Sequence, residues 1–451
     1  MTNYDVIEAY VEDFTNWNYV KARGVATISQ HKFIITECIL KGLSIVEDIQ
    51  EPYSNLTVRI IGITDNQEVL ITDYVNGKHQ IINTITEDGI YTIEDRHHFV
   101  GFGCNFVGTC NITIEQLPTS ILKDYSGNKH DAYLYGFKGR LNSGVGIYAQ
   151  DFTKWIFGSA IHNISTKAHN KLHIVKKNPN NYFGYTIGIQ KANYYNKPYK
   201  LKFNFNKEID DINFSVVSTD SNLITTRCFS AIINNGSVVD VPIISEEIFN
   251  NQKEPNIYYD FGTNKDIEID VELIPDYPNQ LCYDGKSYAV AYGLPILTDY
   301  TVIADRTWFA EKVDNGVFMS KALEQNGAFI LEYKQGDKWN TYSYYSATNI
   351  NIDKDNSIVY QTKNKYNEQT IYPGDKQDTD TLFIGTIRKD DSRSFIGCHG
   401  DILLFNRTLT DDELSVIKEV VFGISDIKDA LLTVDKKYIK LNDNNYIKLN
   451  K

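Results

Sequence analysis

A five-residue motif that occurs twice constrains this chain more than any other feature. Asp13-Phe14-Thr15-Asn16-Trp17 recurs as Asp151-Phe152-Thr153-Lys154-Trp155. Repeated segments fold as like units, because the same pattern of apolar positions demands the same core. Further landmarks follow in the same order. Ile28-Ser29-Gln30-His31-Lys32 and then Pro52-Tyr53 mark the first copy; His169-Asn170-Lys171-Leu172-His173 and then Pro198-Tyr199 mark the second. Each copy closes on an alternating stretch that runs into proline. In the first this is Asn111-Ile112-Thr113-Ile114-Glu115-Gln116-Leu117-Pro118. In the second it is Asp266-Ile267-Glu268-Ile269-Asp270-Val271-Glu272-Leu273-Ile274-Pro275. Such alternation puts apolar side chains on one face of a strand and polar ones on the other. Copies of about a hundred residues each have the size of β-sandwich domains.

The interiors of the copies carry the same signal. Residues 56–63 and 200–205 alternate with period two. Turn pairs such as Asp65-Asn66, Asn76-Gly77, Asp88-Gly89 and Asn235-Gly236 punctuate the runs. The 31 Tyr and 22 Phe against 2 Met suit pleated, half-buried surfaces. A hydrophobic content of 42% excludes a disordered chain. No apolar run approaches the roughly 18 residues that a membrane-spanning helix needs. The 451 residues allow roughly two to four domains. The fold class expected is therefore all-β, several sandwich or jelly-roll domains, with little helix.

One helix is predicted. The strand-like run Gly400-Asp401-Ile402-Leu403-Leu404-Phe405 leads into Thr410 and Glu413, which form a capping box, so a helix starts there and runs to about Val421. At the other end Val6, Ile7, Tyr10, Val11 and Phe14 fall at helical spacing after a Thr2 or Asn3 cap, a weaker sign of a short N-terminal arm. Beyond the C-terminal helix, Tyr438-Ile439-Lys440-Leu441-Asn442 recurs as Tyr446-Ile447-Lys448-Leu449-Asn450 around Asp443-Asn444-Asn445. That pattern predicts a hairpin, which needs another surface to dock on.

Three motifs outside the repeat carry a family resemblance. Asp124-Tyr125-Ser126-Gly127-Asn128-Lys129-His130-Asp131 precedes the second copy, and Tyr283-Asp284-Gly285-Lys286-Ser287-Tyr288 follows it. Leu404-Phe405-Asn406-Arg407-Thr408-Leu409-Thr410-Asp411-Asp412-Glu413-Leu414 closes the unit. Together they resemble laminin-G-like, concanavalin-A-like jelly rolls, over residues 120–150 and 280–422. The repeated module resembles one found beside such jelly rolls in structural proteins of phages and prophages of gut Bacteroidales. The organisation expected is an arm and module over 1–118, a discontinuous jelly roll over 119–150 and 279–424, an inserted second module over 151–278, and a hairpin tail over 425–451. The insertion is expected after the first strand of the jelly roll, at a loop that brings the insert's ends together.

Charge and termini narrow the partners. A net charge of -13 disfavours nucleic acid, whose binders present a basic face. Residues 1–5 lack the basic and apolar segments of a secretory signal, so synthesis in the cytoplasm without export is expected. The sequons at Asn55, Asn111 and Asn406 carry little weight in that setting. Cys38, Cys104, Cys110, Cys228, Cys282 and Cys398 form no C-x-x-C pair. Cys104 and Cys110 are spaced to bridge a hairpin, but buried reduced thiols fit a cytosolic chain better.

Chemistry candidates follow. Glu268, Asp270 and Glu272 resemble the E-x-D-x-E strand of a glycoside hydrolase family that also uses a jelly roll, with nucleophile, modulator and acid on one strand face. Two carboxylates would then stand ~5–5.5 Å apart across a sugar. Against this, the first copy has Asn111, Thr113 and Glu115 at the corresponding places, and a polar face on an exposed strand needs no catalysis. His97 and His98 beside Asp95 point to opposite faces of a strand and chelate poorly. Asp375, Asp378 and Asp380 form an acidic loop of the kind that holds Ca²⁺ in jelly-roll lectins, but a solvated turn is the preferred reading. No Walker loop, G-x-S-x-G or H-E-x-x-H is present. Trp339, Tyr342, Tyr344 and Tyr345 form an aromatic run in polar context, suited to stacking on sugar rings or to a subunit interface. Trp308 continues the Val302-Ile303-Ala304 strand and is expected in the core.

The resemblance implies a non-enzymatic virion protein, a head or tail fibre or capsid decoration, on the particle surface. It implies recognition of cell-surface carbohydrate by the jelly roll, a symmetric dimer or trimer, and attachment to other virion proteins through the N-terminal arm or the C-terminal hairpin. A glycoside hydrolase using Glu268, Asp270 and Glu272, and a bacterial surface adhesin, are the alternatives.

Overall fold

Strands follow the alternating runs almost everywhere. The structure, a computed structural model, describes residues 10–48, 55–75, 78–94, 100–137, 143–149, 151–154, 163–176, 185–190, 198–206, 211–219, 225–243, 256–262, 266–309, 315–323, 325–389, 393–423, 438–442 and 445–448. It is an all-β chain of antiparallel sheets with a short helix near the C-terminus.

The first repeat builds two facing sheets. One runs in the order Gly24–Ser29, Lys32–Cys38, Gly108–Gln116, Leu56–Ile61, Gly89–Ile93; the other runs Asn18–Tyr19, Ser44–Glu47, Gly101–Cys104, Val69–Val75, Lys78–Ile85. Phe14, Phe33, Ile60, Phe102 and Ile114 fill the space between them. The second repeat does the same. Its sheets run Asn163–Lys167, Lys171–Lys176, Ile267–Ile274, Tyr199–Phe205, Val238–Val241, and Tyr185–Gln190, Asn256–Gly262, Ile212–Thr219, Thr225–Ile233. Phe152, Leu172, Phe203, Phe214, Tyr259 and Val271 form its core.

Strand register shows that the duplication is structural. Lys32 faces Glu115 in the first copy and Lys171 faces Glu272 in the second. Arg59 faces Glu115, and Lys202 faces Glu272. The repeated motif itself makes a 3-10 turn, Phe14–Asn16 in one copy and Phe152–Lys154 in the other. Asp13 and Asp151 each accept a hydrogen bond from the backbone of the Thr two residues on, at 3.0 Å, and so cap the turn. The Phe that follows each Asp donates its N–H to the equivalent turn carbonyl, Gln30 at 2.8 Å and His169 at 2.9 Å. Trp155 lies outside the described residues.

The strands that flank the second repeat make a larger sandwich. One sheet is Ile121–Leu122, Ala132–Tyr135, Tyr288–Ala291, Leu382–Ile384, Asn315–Leu323, Asn326–Gln335, Lys338–Ser343, Ser346–Ile350. The other is Gly144–Ile147, Asp276–Asp284, Ile396–Phe405, Thr301–Trp308, Ile358–Thr362, Lys365–Tyr366, Gln369–Thr370. Phe137, Tyr283, Tyr300, Phe318, Phe329 and Phe395 lie in the core between them. Strands on both sides of the second repeat pair directly, Gly144 with Cys282 and Ala132 with Ala291. Ile121–Leu122, Ala132–Tyr135 and Gly144–Ile147 all precede the second repeat, rather than a single strand.

The capping box forms as predicted. Thr410 accepts from the Glu413 N–H and Glu413 accepts from the Thr410 N–H, and the helix Asp411–Phe422 ends on Gly423 at φ 68°. A left-handed residue there suits glycine, which has no Cβ to clash. Leu414 and Ile417 bury against Ile303, Ile358 and Tyr360. The expected N-terminal helix is not seen over residues 10–13, which are irregular; Val6 and Ile7 lie outside the described residues. Tyr438–Asn442 and Asn445–Lys448 pair as a hairpin.

The first module touches the larger sandwich through the face that carries Arg59 and Glu115. Arg59 stacks 4.2 Å from the Tyr292 ring centroid. Lys389 pairs with Glu115 and lies 5.2 Å from the Tyr135 ring centroid. Leu117 buries among Tyr135, Val290, Tyr292 and Phe383.

Candidate functional site

The strand Lys338–Ser343 and its two hairpin turns build a groove at the margin of the larger sheet. Gly336, at φ 57°, turns the chain from Asn326–Gln335 into Lys338–Ser343. Trp339 then pairs with Ile350 across the next hairpin. The result is an open cavity of about 400 Å³, with Trp339, Ile350 and Ile352 as its apolar lining and Asp337, Asn349 and Asn351 among its polar lining. Gln369 holds Asn351 from both sides of the backbone, accepting from its N–H at 2.8 Å and donating to its C=O at 2.7 Å. The groove thus has an aromatic face and hydrogen-bonding groups from a strand and its flanking turns, the ingredients of a small polar-ligand site.

A buried charge network holds Trp339 in place. Its ring meets Trp308 edge to face at 4.9 Å between centroids. The Trp308 indole N–H donates to Glu332 Oε2 at 2.8 Å. Arg306 donates to the same carboxylate from Nε at 2.7 Å and from Nη2 at 2.6 Å, and the Tyr366 hydroxyl donates at 2.5 Å. The side chains of Arg306 and Glu332 are 2% and 0% exposed. Burial alone would raise the Glu332 carboxyl; the Arg306 guanidinium and the donated hydrogen bonds outweigh it and hold it below the usual range. Glu332 stands at φ 55°, where the register between Asn326–Gln335 and Lys338–Ser343 shifts between Ile330 and Tyr333. The bulge aims a carboxylate inward from a strand that would otherwise present only apolar groups. The legible trace of it is one acid inside Ala328-Phe329-Ile330-Leu331-Glu332-Tyr333.

The four aromatics expected to act together are split three ways. Trp339 lines the groove. Tyr344 is 6% exposed and packs in the core, where its hydroxyl donates to Leu297 O at 3.2 Å, so it offers no face to a sugar. Tyr342 packs with Tyr333 and Tyr345, each at 6.1 Å between centroids. Tyr342 belongs to the outer cluster with Val317, Ile330 and Ile387. Strand alternation separates Trp339 from Tyr342, and the two-residue turn at Tyr344 and Tyr345, φ 43° and 65°, folds Tyr344 inward. Trp308 packs against the core as expected.

The carboxylate strand is a charge ladder. His173 Nδ1 lies 2.8 Å from Asp270, Lys171 lies 3.0 Å from Asp270 and 3.2 Å from Glu272, and His173 Nε2 lies 3.8 Å from Glu268. Burial pushes the Asp270 carboxyl up, but His173 and Lys171 prevail and hold it below its ordinary value. In the first copy the position of Glu272 is Glu115, which joins that module to the larger sandwich through Lys389. The pattern is thus shared by two structural faces.

The acidic loop is not gathered around a common point. Asp375 and Asp380 are exposed, whereas Asp378 is buried against Lys321. Among the described residues no group of three or more His, Cys, Asp and Glu is placed to hold a metal ion. His97 and His98 lie outside the described residues. The six thiols are free, and Cys104 has Cys38 as a thiol neighbour. Cys282 and Cys398 face each other across paired strands.

Neither the protein-family models nor the curated proteins contain a match to this chain.

Proposed function

We propose that the chain is a non-enzymatic structural protein of a bacteriophage virion, a fibre or capsid decoration, whose jelly roll binds cell-surface carbohydrate at the Trp339 groove. The groove is the observation that carries the reading. A pyranose presents an apolar face to an aromatic ring and hydroxyls to amides and carboxylates. Trp339 with Asp337, Asn349 and Asn351 supplies both within about 400 Å³, a volume near the lower end of the roughly 300–1,000 Å³ typical of small-ligand sites. The repeated modules, each closed around its own core, serve as spacers that carry the jelly roll away from the particle. The acidic surface keeps such chains from associating non-specifically. Association into a dimer or trimer, with the C-terminal hairpin or the N-terminal arm as the attachment to other virion proteins, belongs to the same proposal.

A glycan array followed by calorimetry on wild type and Trp339→Ala tests recognition. Loss of one stacking contact worth about 1.5 kcal/mol weakens binding roughly tenfold. Unchanged affinity in the variant removes the groove from the proposal. Mass spectrometry of purified particles tests the virion assignment, and absence of the chain from them refutes it.

A further inference from the structure

The larger sandwich buries a lysine and an aspartate in direct contact with each other. Lys321 lies on Asn315–Leu323 at the register shift between Lys321 and Ala322, and Asp378 lies 57 residues on. Both side chains are 0% exposed, and the ammonium nitrogen contacts both Asp378 Oδ2 and the Thr379 carbonyl. The carboxylate is fixed on its other sides: Leu297 N–H donates to Oδ2 and Ala328 N–H to Oδ1, each at 2.8 Å. We propose that Lys321 and Asp378 condense to an intramolecular isopeptide bond, so that the groove-bearing hairpins are enclosed in a covalent loop.

The step balances without any other reagent. A proton passes from the Lys321 ammonium to the Asp378 carboxylate, leaving a neutral amine and a carboxylic acid. The Nζ lone pair attacks Cγ and forms the C–N bond. The second N–H proton moves to the departing oxygen, directly or by way of Asp380, the other carboxylate whose charge acts on Lys321. The C–O bond breaks and one water leaves. Nothing is oxidised or reduced.

Three features of the site favour it. Reacting groups held side by side behave as if at very high concentration, about 10⁵–10⁸ M in well-oriented systems. Burial pushes the Lys321 amine toward its neutral, nucleophilic form, with Asp378 and Asp380 opposing that only in part. The Leu297 and Ala328 N–H groups stand at both carboxyl oxygens, so the oxygen that gathers charge in the tetrahedral intermediate already has a donor. The product replaces two buried charges by one neutral amide, and a buried amide costs far less desolvation than a buried ion pair. Residues 322–377, enclosed by the bond, include Trp339 and the whole lining of the groove.

The test uses the purified full-length chain, unfolded, digested and read by tandem mass spectrometry. The expected result is one branched species joining the peptide of Lys321 to the peptide of Asp378, with a mass one water below their sum. Asp378→Asn is expected to yield the same branched species by loss of ammonia, and Lys321→Arg only linear peptides. Recovery of both wild-type peptides in linear form overturns the proposal. So does loss of water without a joined pair, or a loss that persists in Lys321→Arg. None of these readouts depends on carbohydrate binding.

Discussion

Glu332→Gln tests the account of the groove at its foundation. The substitution keeps size and shape but removes the charge that faces Arg306. Arg306 is 2% exposed, so its guanidinium cannot turn to water. Its other partners include the Asn356 carbonyl at 2.7 Å and the Ser357 carbonyl at 3.5 Å, neither of which carries charge. Breaking a buried pair by removing one partner costs about 3–5 kcal/mol, because the charge left behind is uncompensated. A domain of roughly 150–250 residues shifts by about 2–4 °C per kcal/mol, so its midpoint should fall by about 6–20 °C. Thermal unfolding followed by tryptophan fluorescence reads the change, since Trp308 and Trp339 report from this sandwich. Arg306→Met combined with Glu332→Gln should recover most of the loss, as no unpaired charge remains while the amide oxygen still accepts from Trp308 and Tyr366. The pH dependence has a definite sign. The folded carboxyl titrates below the unfolded one, so its stabilisation is complete above about pH 4.3 and is lost as pH falls through the folded value. Glu332→Gln should remove this part of the acid sensitivity. A loss under about 1 kcal/mol, or a double variant no more stable than the single one, would mean that the Arg306–Glu332 pair does not hold this sandwich together.

Other outcomes follow from the same geometry. Phe203→Ala removes a fully buried ring that meets Phe214 at 4.8 Å and Phe261 at 6.4 Å; it should cost about 3–5 kcal/mol in urea unfolding and melt the second module while leaving the larger sandwich folded. Thr410→Ala should cost about 1 kcal/mol through loss of the cap, measured by the same denaturation. The Glu413 carboxyl, held down to about 2 by the Arg407 hydrogen bond and the Thr410 N–H, should show that value in an NMR titration, with its contribution present above about pH 4.3 and lost as pH falls toward 2. Glu268→Gln and Glu272→Gln, with side chains 34% exposed on the ladder, should each change stability by less than about 1 kcal/mol. Release of sugar from a β-glucan by wild type but not by these variants would restore the hydrolase alternative.

The local devices were legible because each depends on a few neighbouring residues. The capping box at Thr410 and Glu413 reads from spacing alone, since the helix turn brings those positions together. The alternation of residues 267–274 reads equally well, because the pleat has a period of two. Trp339 is legible as an aromatic in polar context, but where its companions face is not. A run of aromatics does not reveal that Tyr344 sits in a turn with positive φ and folds inward. Glu332 was missed because a lone acid in an apolar strand gains meaning only from Arg306, Trp308 and Tyr366, which come from other strands. Asp378 reads as part of a solvated acidic turn from the acids beside it, whereas its partner Lys321 lies 57 residues away.

The sequence alone determined that this chain is built of β-strands, that one module occurs twice, and where the C-terminal helix begins. Those follow from periodicity and duplication, which short-range sterics and burial translate directly into structure. Tertiary structure alone decided which polar groups meet inside the larger sandwich. The Arg306–Glu332 and Lys321–Asp378 pairs exist because antiparallel strands distant in sequence place them face to face where water is excluded. In that setting a charge is worth several times its surface value, and only the fold determines which residues experience it.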